Sequence, residues 1–388
     1  MRHDKDLEFD FRSPTKIVFG AGSSRDVGAE LSELGRHRAV IVTDRVLAEN
    51  TDVPEKIKKG LGPYCAGIYS DVEPNSSFDI VNNGADYARG VGADCVVSVG
   101  GGSAIDSAKG ISVLLKSGGS IQDFAGASML TEPQTPHIAV PTTAGTGSEM
   151  TYVAVIMDRE NKRKTFITDN RIFPNTAILD PELTVSLPPH LTGATGMDAM
   201  THALEALHSA MRNPFSDAAA LHAIRLIKQW LVRAVERPND IMARGQMLIA
   251  ASLAGSAFSN AMVGVAHAIA QSIGAIAGTH HGLACSIVLP HCMRFNAQEF
   301  PGLYVDAAVA LAVFEPGMQP AEASERAAQE VYDIANKCGL KTTLSGVGVG
   351  KELFNEIAEL SMSDGAILFN PRIVTDKAEI MNLLQKAF

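Results

Sequence analysis

The chain has 388 residues, 46% of them hydrophobic and 20% charged, the make-up of a soluble globular protein too long for one core, so two domains are expected. A formal net charge of −10 with no run of Lys or Arg argues against a nucleic-acid surface. The cysteines, Cys65, Cys95, Cys285, Cys292 and Cys338, form no CxxC pair and no disulfide framework, which fits a reducing, cytoplasmic compartment and leaves metal ligation to His and Asp.

The amino terminus, MRHDKDLEFDFRSP, carries charges where a signal peptide needs an apolar core, so export is not expected. From there to about Leu187, short β-branched runs alternate with helical segments. Arg38–Thr43, Ala93–Val99 and His137–Val140 read as buried parallel strands bounded by turn signals, the pattern of a doubly wound, Rossmann-like α/β sheet. Gly20-Ala-Gly22 looks like the opening of GxGxxG, but Arg25 stands where the third glycine belongs, so a loop and a helix start are expected there. Asp44 closes the first strand. An acidic side chain in that place accepts hydrogen bonds from a ribose and repels a 2′-phosphate, and a turn or cap role suits the sequence equally.

The second strand runs straight into Gly100-Gly101-Gly102-Ser103, and helical spacing begins at once with Ile105, Ala108, Ile111 and Leu115. Such a turn lets backbone N–H groups approach a phosphate closely, with the helix dipole behind them. Ser103 and Asp106 stand at capping-box spacing, so a capped helix is the plainer alternative. Three consecutive glycines exceed what capping requires, and phosphate binding is the favoured reading. Pro141–Glu149, rich in hydroxyls and glycine, follows the third strand, where a ligand crevice forms in an open α/β sheet.

Beyond Leu187-Pro-Pro-His the strand signals stop. Ala218–Ile227 and Glu322–Ala335 are amphipathic helices, with apolar residues every three or four positions. The expected division is residues 1–187 for the nucleotide and an all-α, metal-binding domain over 188–388, with the active site in the cleft between them. Asp198 and His202 stand four apart and so share a helix face, and His267 and His281 follow in a stretch, Gly245 to Met293, without Asp, Glu, Lys or Arg. One carboxylate and three imidazoles suit a divalent first-row ion. The alternative makes Asp198 a first-turn acid in a capping box begun by Thr195, and a lone His is more often a core residue than a ligand. The uncharged stretch is long enough for a membrane span, but Gln246, Ser252, Asn260, His267 and Gln271 interrupt it, so tightly packed buried helices are expected.

GGGSAIDSAK, PTTAGTGSE, GMDAMTHALE and HHGLACSIVLPH, in that order and spacing, resemble the signatures of the iron-containing, or group III, alcohol dehydrogenases. The likeness covers nearly the whole chain. It implies an N-terminal NAD-binding α/β domain, a C-terminal helical domain, and one divalent metal, iron first and zinc as the alternative. The resemblance carries the metal ligands to Asp198, His202, His267 and His281. It carries cofactor contacts to Asp44, Asn75, Gly101, Gly102, Ser103, Thr142, Thr143, Thr146, Lys164 and Leu183, with Asp44 favouring NAD over NADP. The family commonly has a second His one turn after the third ligand, near the nicotinamide, where it assists proton transfer. Here that place holds Gln271, whose neutral amide is no acid or base near pH 7. His267 and Gln271 are therefore the catalytic positions the resemblance implies. The activity it implies is NAD-linked interconversion of short-chain alcohols or diols and aldehydes. A polyol or hydroxyacid dehydrogenase, or an enzyme like dehydroquinate synthase, is the alternative within the superfamily, although a phosphorylated substrate would want Lys and Arg that the helices around the ligands do not supply. A non-catalytic NAD- and metal-binding protein is the reading that Gln271 keeps open. The expected partners are a small alcohol or aldehyde and further copies of the chain, as a homodimer or larger homo-oligomer, with no nucleic acid and no membrane.

Overall fold

The computed structural model describes residues 8–161 and 163–388; the amino-terminal stretch over residues 1–7 lies outside the described residues. The chain divides after Leu187 into two compact units. The first carries strands β1 (Lys16–Phe19), β2 (Ala39–Asp44), β3 (Cys65–Val72), β4 (Cys95–Gly100), β5 (Gly126–Ala127), β6 (His137–Pro141), β7 (Val153–Asp158), β8 (Arg163–Thr168) and β9 (Thr176–Leu179). Its helices are α1 (Val27–Glu33), α2 (Arg45–Asn50), α3 (Val53–Leu61), α4 (Phe78–Gly90) and α5 (Gly102–Ser117). Six of the strands form one sheet, ordered β1-β9-β6-β4-β2-β3, in which every pairing is parallel.

β2, β4 and β6 are buried along nearly their whole length, which is why they read as unbroken apolar runs rather than alternating ones. Successive side chains still point to opposite faces. Val40, Val42 and Val96 pack with Val81 and Ala85 of α4 and Ala108 and Ile111 of α5. Ala39, Ile41, Val97 and Val99 pack with Val27 and Leu31 of α1 and Ile57 and Leu61 of α3. Helices thus cover both faces, and the sheet is doubly wound. A smaller sheet of β5, β8 and β7 includes the antiparallel hairpin β7–β8, with Lys164 opposite Met157.

The second unit is helical: α6 (Pro189–His208), α7 (Pro214–Glu236), α8 (Ile241–Ala261), α9 (Val265–Ala277), α10 (His281–Glu299), α11 (Val305–Ala310), α12 (Pro320–Lys337), α13 (Phe354–Met362) and α14 (Lys377–Lys386). α6 packs on α7, α8 and α10, and α10 packs on α9 and α12. Gly196 permits the α6–α7 approach, since a β-carbon there would overlap the Leu231 side chain. By length and composition α8 passes for a membrane span, but 67% of its most apolar window is buried inside the unit. Residues 8–12 group with the helical unit rather than with the nucleotide domain to which the sequence reading assigns them. The Phe9 and Phe11 rings lie 5.8 and 5.3 Å from the Phe215 ring, and the Asn260 side-chain amide bonds both the N–H and the carbonyl of Arg12.

Candidate active site

In the first unit the GGGS turn and the threonine-rich loop are packed against each other. Gly101 is the N-cap of α5 and the helix begins at Gly102, with no side chain bonded to its first amides. The capping box expected of Ser103 and Asp106 does not form, because the helix starts earlier than that spacing requires. Asp106 instead faces β7, where its Oδ2 accepts the Val155 N–H at 3.1 Å. The uncapped N–H groups are open to an anion, favoured by the helix dipole. A β-carbon on Gly102 would come within 2.7 Å of the Thr146 methyl, and one on Gly101 within 3.2 Å of the Thr143 hydroxyl. Only glycine lets this turn sit against that loop. The Thr142 N–H donates to the Gly100 carbonyl at 3.0 Å, which fixes where the loop leaves β6. The Asn75 N–H donates to Ser103 Oγ at 3.3 Å, with Asn75 itself in the left-handed region at φ 55°.

Asp44 does what its plainer reading requires: Oδ1 accepts the Leu47 N–H at 2.8 Å and caps α2. Its Oδ2 stands near Gly100, 3.3 Å from where a β-carbon would be. The Leu183 side chain is packed into the core with Val99, Val140 and Ile178, so it offers a ligand only its main chain. Lys109, the last residue of GGGSAIDSAK, was not singled out from sequence. Fully buried, it donates to Thr151 Oγ1 at 2.8 Å and to the Val153 carbonyl at 2.7 Å, tying α5 to the far end of the threonine-rich loop. Burial lowers its pKa to about 8, against the opposing pull of Asp106 and Glu149.

In the second unit, three of the four residues singled out as metal ligands, Asp198, His267 and His281, bring their ligand atoms within 4.8 Å of one another, and His202 lies beside them. α6 begins at Pro189, where proline's fixed φ suits the first turn, so Asp198 lies mid-helix and is buried, and the capping role is excluded. Asp198 and His202 share one face of α6, with His202 Nδ1 3.9 Å from Asp198 Oδ2. His267, near the start of α9, places Nε2 3.8 Å from Asp198 Oδ1, and His281, the first residue of α10, places Nε2 3.6 Å from the same oxygen. A β-carbon on Gly282 would overlap the Ala194 carbonyl, so glycine at that place lets α10 deliver His281 to α6. The His202 ring is sandwiched between Phe258 at 4.2 Å and His267 at 4.4 Å.

Behind His267 lies Glu205, fully buried, accepting the ring Nδ1–H at 2.6 Å and the Ala266 N–H at 2.8 Å. Burial pushes the Glu205 carboxyl up, but the bond to His267 and its charge outweigh that and hold it below the usual range. Burial likewise depresses His267, and Glu205 with Asp198 more than reverses the effect, so its pKa is raised. The 2.6 Å contact with a carboxylate, which can only accept, places the proton of the neutral ring on Nδ1. Nε2 is then an acceptor, and neither it nor Asp198 Oδ1 makes a hydrogen bond although both are buried. Two orphaned acceptors 3.8 Å apart in a buried cluster fit a cation held between them.

Two family models match. That of the iron-containing alcohol dehydrogenases matches residues 14–181, and that of the C-terminal region of the same family matches residues 192–388. The chain belongs to the iron-containing alcohol dehydrogenase family. It is 36% identical over 375 residues to the NAD-dependent methanol dehydrogenase of Bacillus methanolicus, covering 96% of this chain and 98% of that one. It is 37% identical over 383 residues to the 1,3-propanediol dehydrogenase of Klebsiella pneumoniae, covering 98% and 99%. The crystal structure of a 1,3-propanediol oxidoreductase superposes with a TM-score of 0.95 at 36% identity, over 98% of this chain and all of that one.

Two residues of this dehydrogenase site escape the sequence reading. Glu205 stands seven residues after Asp198 and three after His202, on the same helix face, and extending the spacing by one turn would have found it. Cys285 stands one turn after His281, and its Sγ lies among the ligand atoms of Asp198, His267 and His281, all within 4.8 Å of one another. That placement sets a thiol beside the His and Asp residues to which the sequence leaves metal ligation. Gln271 lies on α9 one turn after His267 and is half-buried.

Proposed function

We propose that the chain is a metal-dependent, NAD-linked alcohol dehydrogenase that interconverts short-chain alcohols or diols and their aldehydes. The observation that carries this reading is the convergence of Asp198, His202, His267 and His281, in a chain whose relatives include dehydrogenases of methanol and 1,3-propanediol. Asp198, His202, His267 and His281 would hold one divalent ion, iron by the family's description. When bound, the ion supplies Lewis acidity at the substrate oxygen and the nicotinamide supplies the hydride chemistry.

The rest falls to the chain's own side chains. Glu205 fixes the tautomer and orientation of His267 through Nδ1. Phe258, stacked on His202, excludes water from that face and gives it an apolar cover suited to small uncharged substrates. Gln271, whose amide is neither acid nor base near pH 7, would bind and orient the substrate rather than exchange a proton with it. The open amides at Gly102 and Ser103, with the Thr143 and Thr146 hydroxyls, would hold the dinucleotide phosphates, and Asp44 Oδ2 would accept from the adenosine ribose. Five thiols with no disulfide among them favour a reducing, cytoplasmic setting.

The test is NADH oxidation against a panel of short aldehydes and hydroxyaldehydes, run with Fe(II), Zn(II) and chelator controls, on the parent and on His267→Ala. Turnover by the parent, lost on chelation, and loss of both metal and turnover in the variant are expected. A variant that retains a full equivalent of metal and turns over like the parent would refute the ligand assignment.

A further inference from the structure

α6 and α10 each carry an i,i+4 pair of candidate ligands. On α6 the pair is Asp198 and His202, and on α10 it is His281 and Cys285, the thiol buried. Cys285 Sγ lies 3.7 Å from His281 Nε2. An ion bonded to sulfur at about 2.3 Å and to nitrogen at about 2.1 Å, with tetrahedral angles, holds those two atoms about 3.6 Å apart. The observed spacing needs almost no movement to become a pair of ligands. The second sign of a cation comes from other residues: Asp198 Oδ1 and His267 Nε2 are buried acceptors without hydrogen bonds, and both belong to the same cluster as the sulfur.

We propose that Cys285 is a sulfur donor to the metal of this site, which therefore takes a borderline-soft divalent ion such as zinc or cobalt in preference to hard manganese or magnesium. The inference rests on the metal reading given under Proposed function. The chemistry is a ligand exchange without redox change: the S–H bond breaks, the proton passes to solvent, and the sulfur lone pair forms the bond to the ion. A thiolate selects by softness, whereas the carboxylate and imidazoles bind most first-row ions in the usual affinity order.

Cobalt reports on its own ligands. The full-length protein, stripped with chelator and titrated with Co(II), should show visible ligand-field bands together with an intense near-ultraviolet thiolate-to-cobalt charge-transfer band. In Cys285→Ser the visible bands should remain and the charge-transfer band disappear. Zinc affinity, measured by chelator competition, should fall at least about tenfold in that variant, while manganese affinity stays as in the parent. Visible bands without a charge-transfer band in the parent would overturn the sulfur donor and leave the metal site standing. A charge-transfer band that persists in Cys285→Ser would overturn it too, by assigning the sulfur elsewhere. No cobalt binding by protein that circular dichroism shows to be folded would overturn both readings. The parent spectrum alone decides the main point, whatever the stability of the variant.

Discussion

Replacing Glu205 by Gln changes one atom of a buried carboxylate and separates support of the metal site from the ligands themselves. Oε2 accepts from the His267 ring at 2.6 Å and more weakly from the His267 N–H at 3.3 Å, while Oε1 accepts from the Ala266 N–H at 2.8 Å. Glutamine keeps one acceptor oxygen and puts an NH₂ where the other was. With a metal on His267 Nε2 the ring keeps its proton on Nδ1, and whichever way the amide turns a donor then faces a donor, either the imidazole or the Ala266 amide. A buried donor left without an acceptor costs about 1–3 kcal/mol when metal is bound, whereas in stripped protein the ring moves its proton to Nε2 and accepts from the amide, so the stripped variant should unfold at close to the parent's urea concentration. Loss of the partner that orients a ligating His typically weakens metal binding about 10–100-fold. The assay is chelator competition for zinc or cobalt, alongside urea unfolding of metal-free protein. If Glu205→Gln holds metal as tightly as the parent, Glu205 is a structural carboxylate only, and the account of His267 given above is wrong.

Because Asp44 caps α2, Asp44→Ser tests its charge better than Asp44→Gly does: serine preserves the cap, and removal of the carboxylate should shift the ratio of kcat/KM for NADH over NADPH by about 5- to 150-fold, a repulsion of about 1–3 kcal/mol. An unchanged ratio would exclude a role in cofactor choice. Burial holds His137 neutral, with its pKa near 3, and His208 neutral, with its pKa near 4. Their unfolded values are about 6.5, so below that pH the unfolded chain binds protons the folded one does not, and stability should fall as pH drops from about 6.5 towards 4, with up to about 1.4 kcal/mol per pH unit from each. Urea unfolding at a series of pH values should show this slope, and His208→Gln should flatten it; an equal slope in the variant would show that His208 is not the group responsible.

What the sequence discloses of the fold follows from which strands are buried on both faces. β2, β4 and β6 lie inside the sheet and are covered by helices on each side, so their apolar runs are continuous and their turns well marked. β1 and β3 are the two edges. β1 is four residues long and mostly exposed, and β3 carries Gly67 and is mostly half-buried, so neither gives an unbroken apolar run. β9, at four residues, is buried but too short to be told from a loop entering a helix. The hairpin β7–β8 packs on α5 through β7, whose apolar run Val153–Met157 is fully buried only at alternate residues, and its partner β8 carries Arg163, Lys164 and two threonines. Helix starts are harder again. Ser103–Asp106 and Thr195–Asp198 both carry capping-box spacing, and in both cases the helix has begun earlier, at Gly102 and at Pro189.

The metal cluster shows the same division between what lies along one helix and what is gathered from several. Asp198 and His202 are found from spacing alone because one face of α6 carries both, and that face continues to Glu205. His267 and His281 are on other helices, and only an uncharged stretch and a family likeness single them out. What joins them is a set of close approaches: Gly282 under the Ala194 carbonyl, and Gly264, where a β-carbon would stand 2.9 Å from Asn370 Oδ1 and 3.1 Å from Glu205 Oε1. In a single sequence these glycines are unmarked, since neither has positive φ nor sits in a recognisable turn. Cys285 was within reach of the rule that found His202. A search for cysteines by CxxC spacing looks for two sulfurs on one loop and passes over a sulfur paired with a histidine one turn before it. Applied from every candidate ligand rather than from Asp198 alone, the i,i+4 rule yields two pairs of candidate ligands, on two helices that a glycine crossing brings together.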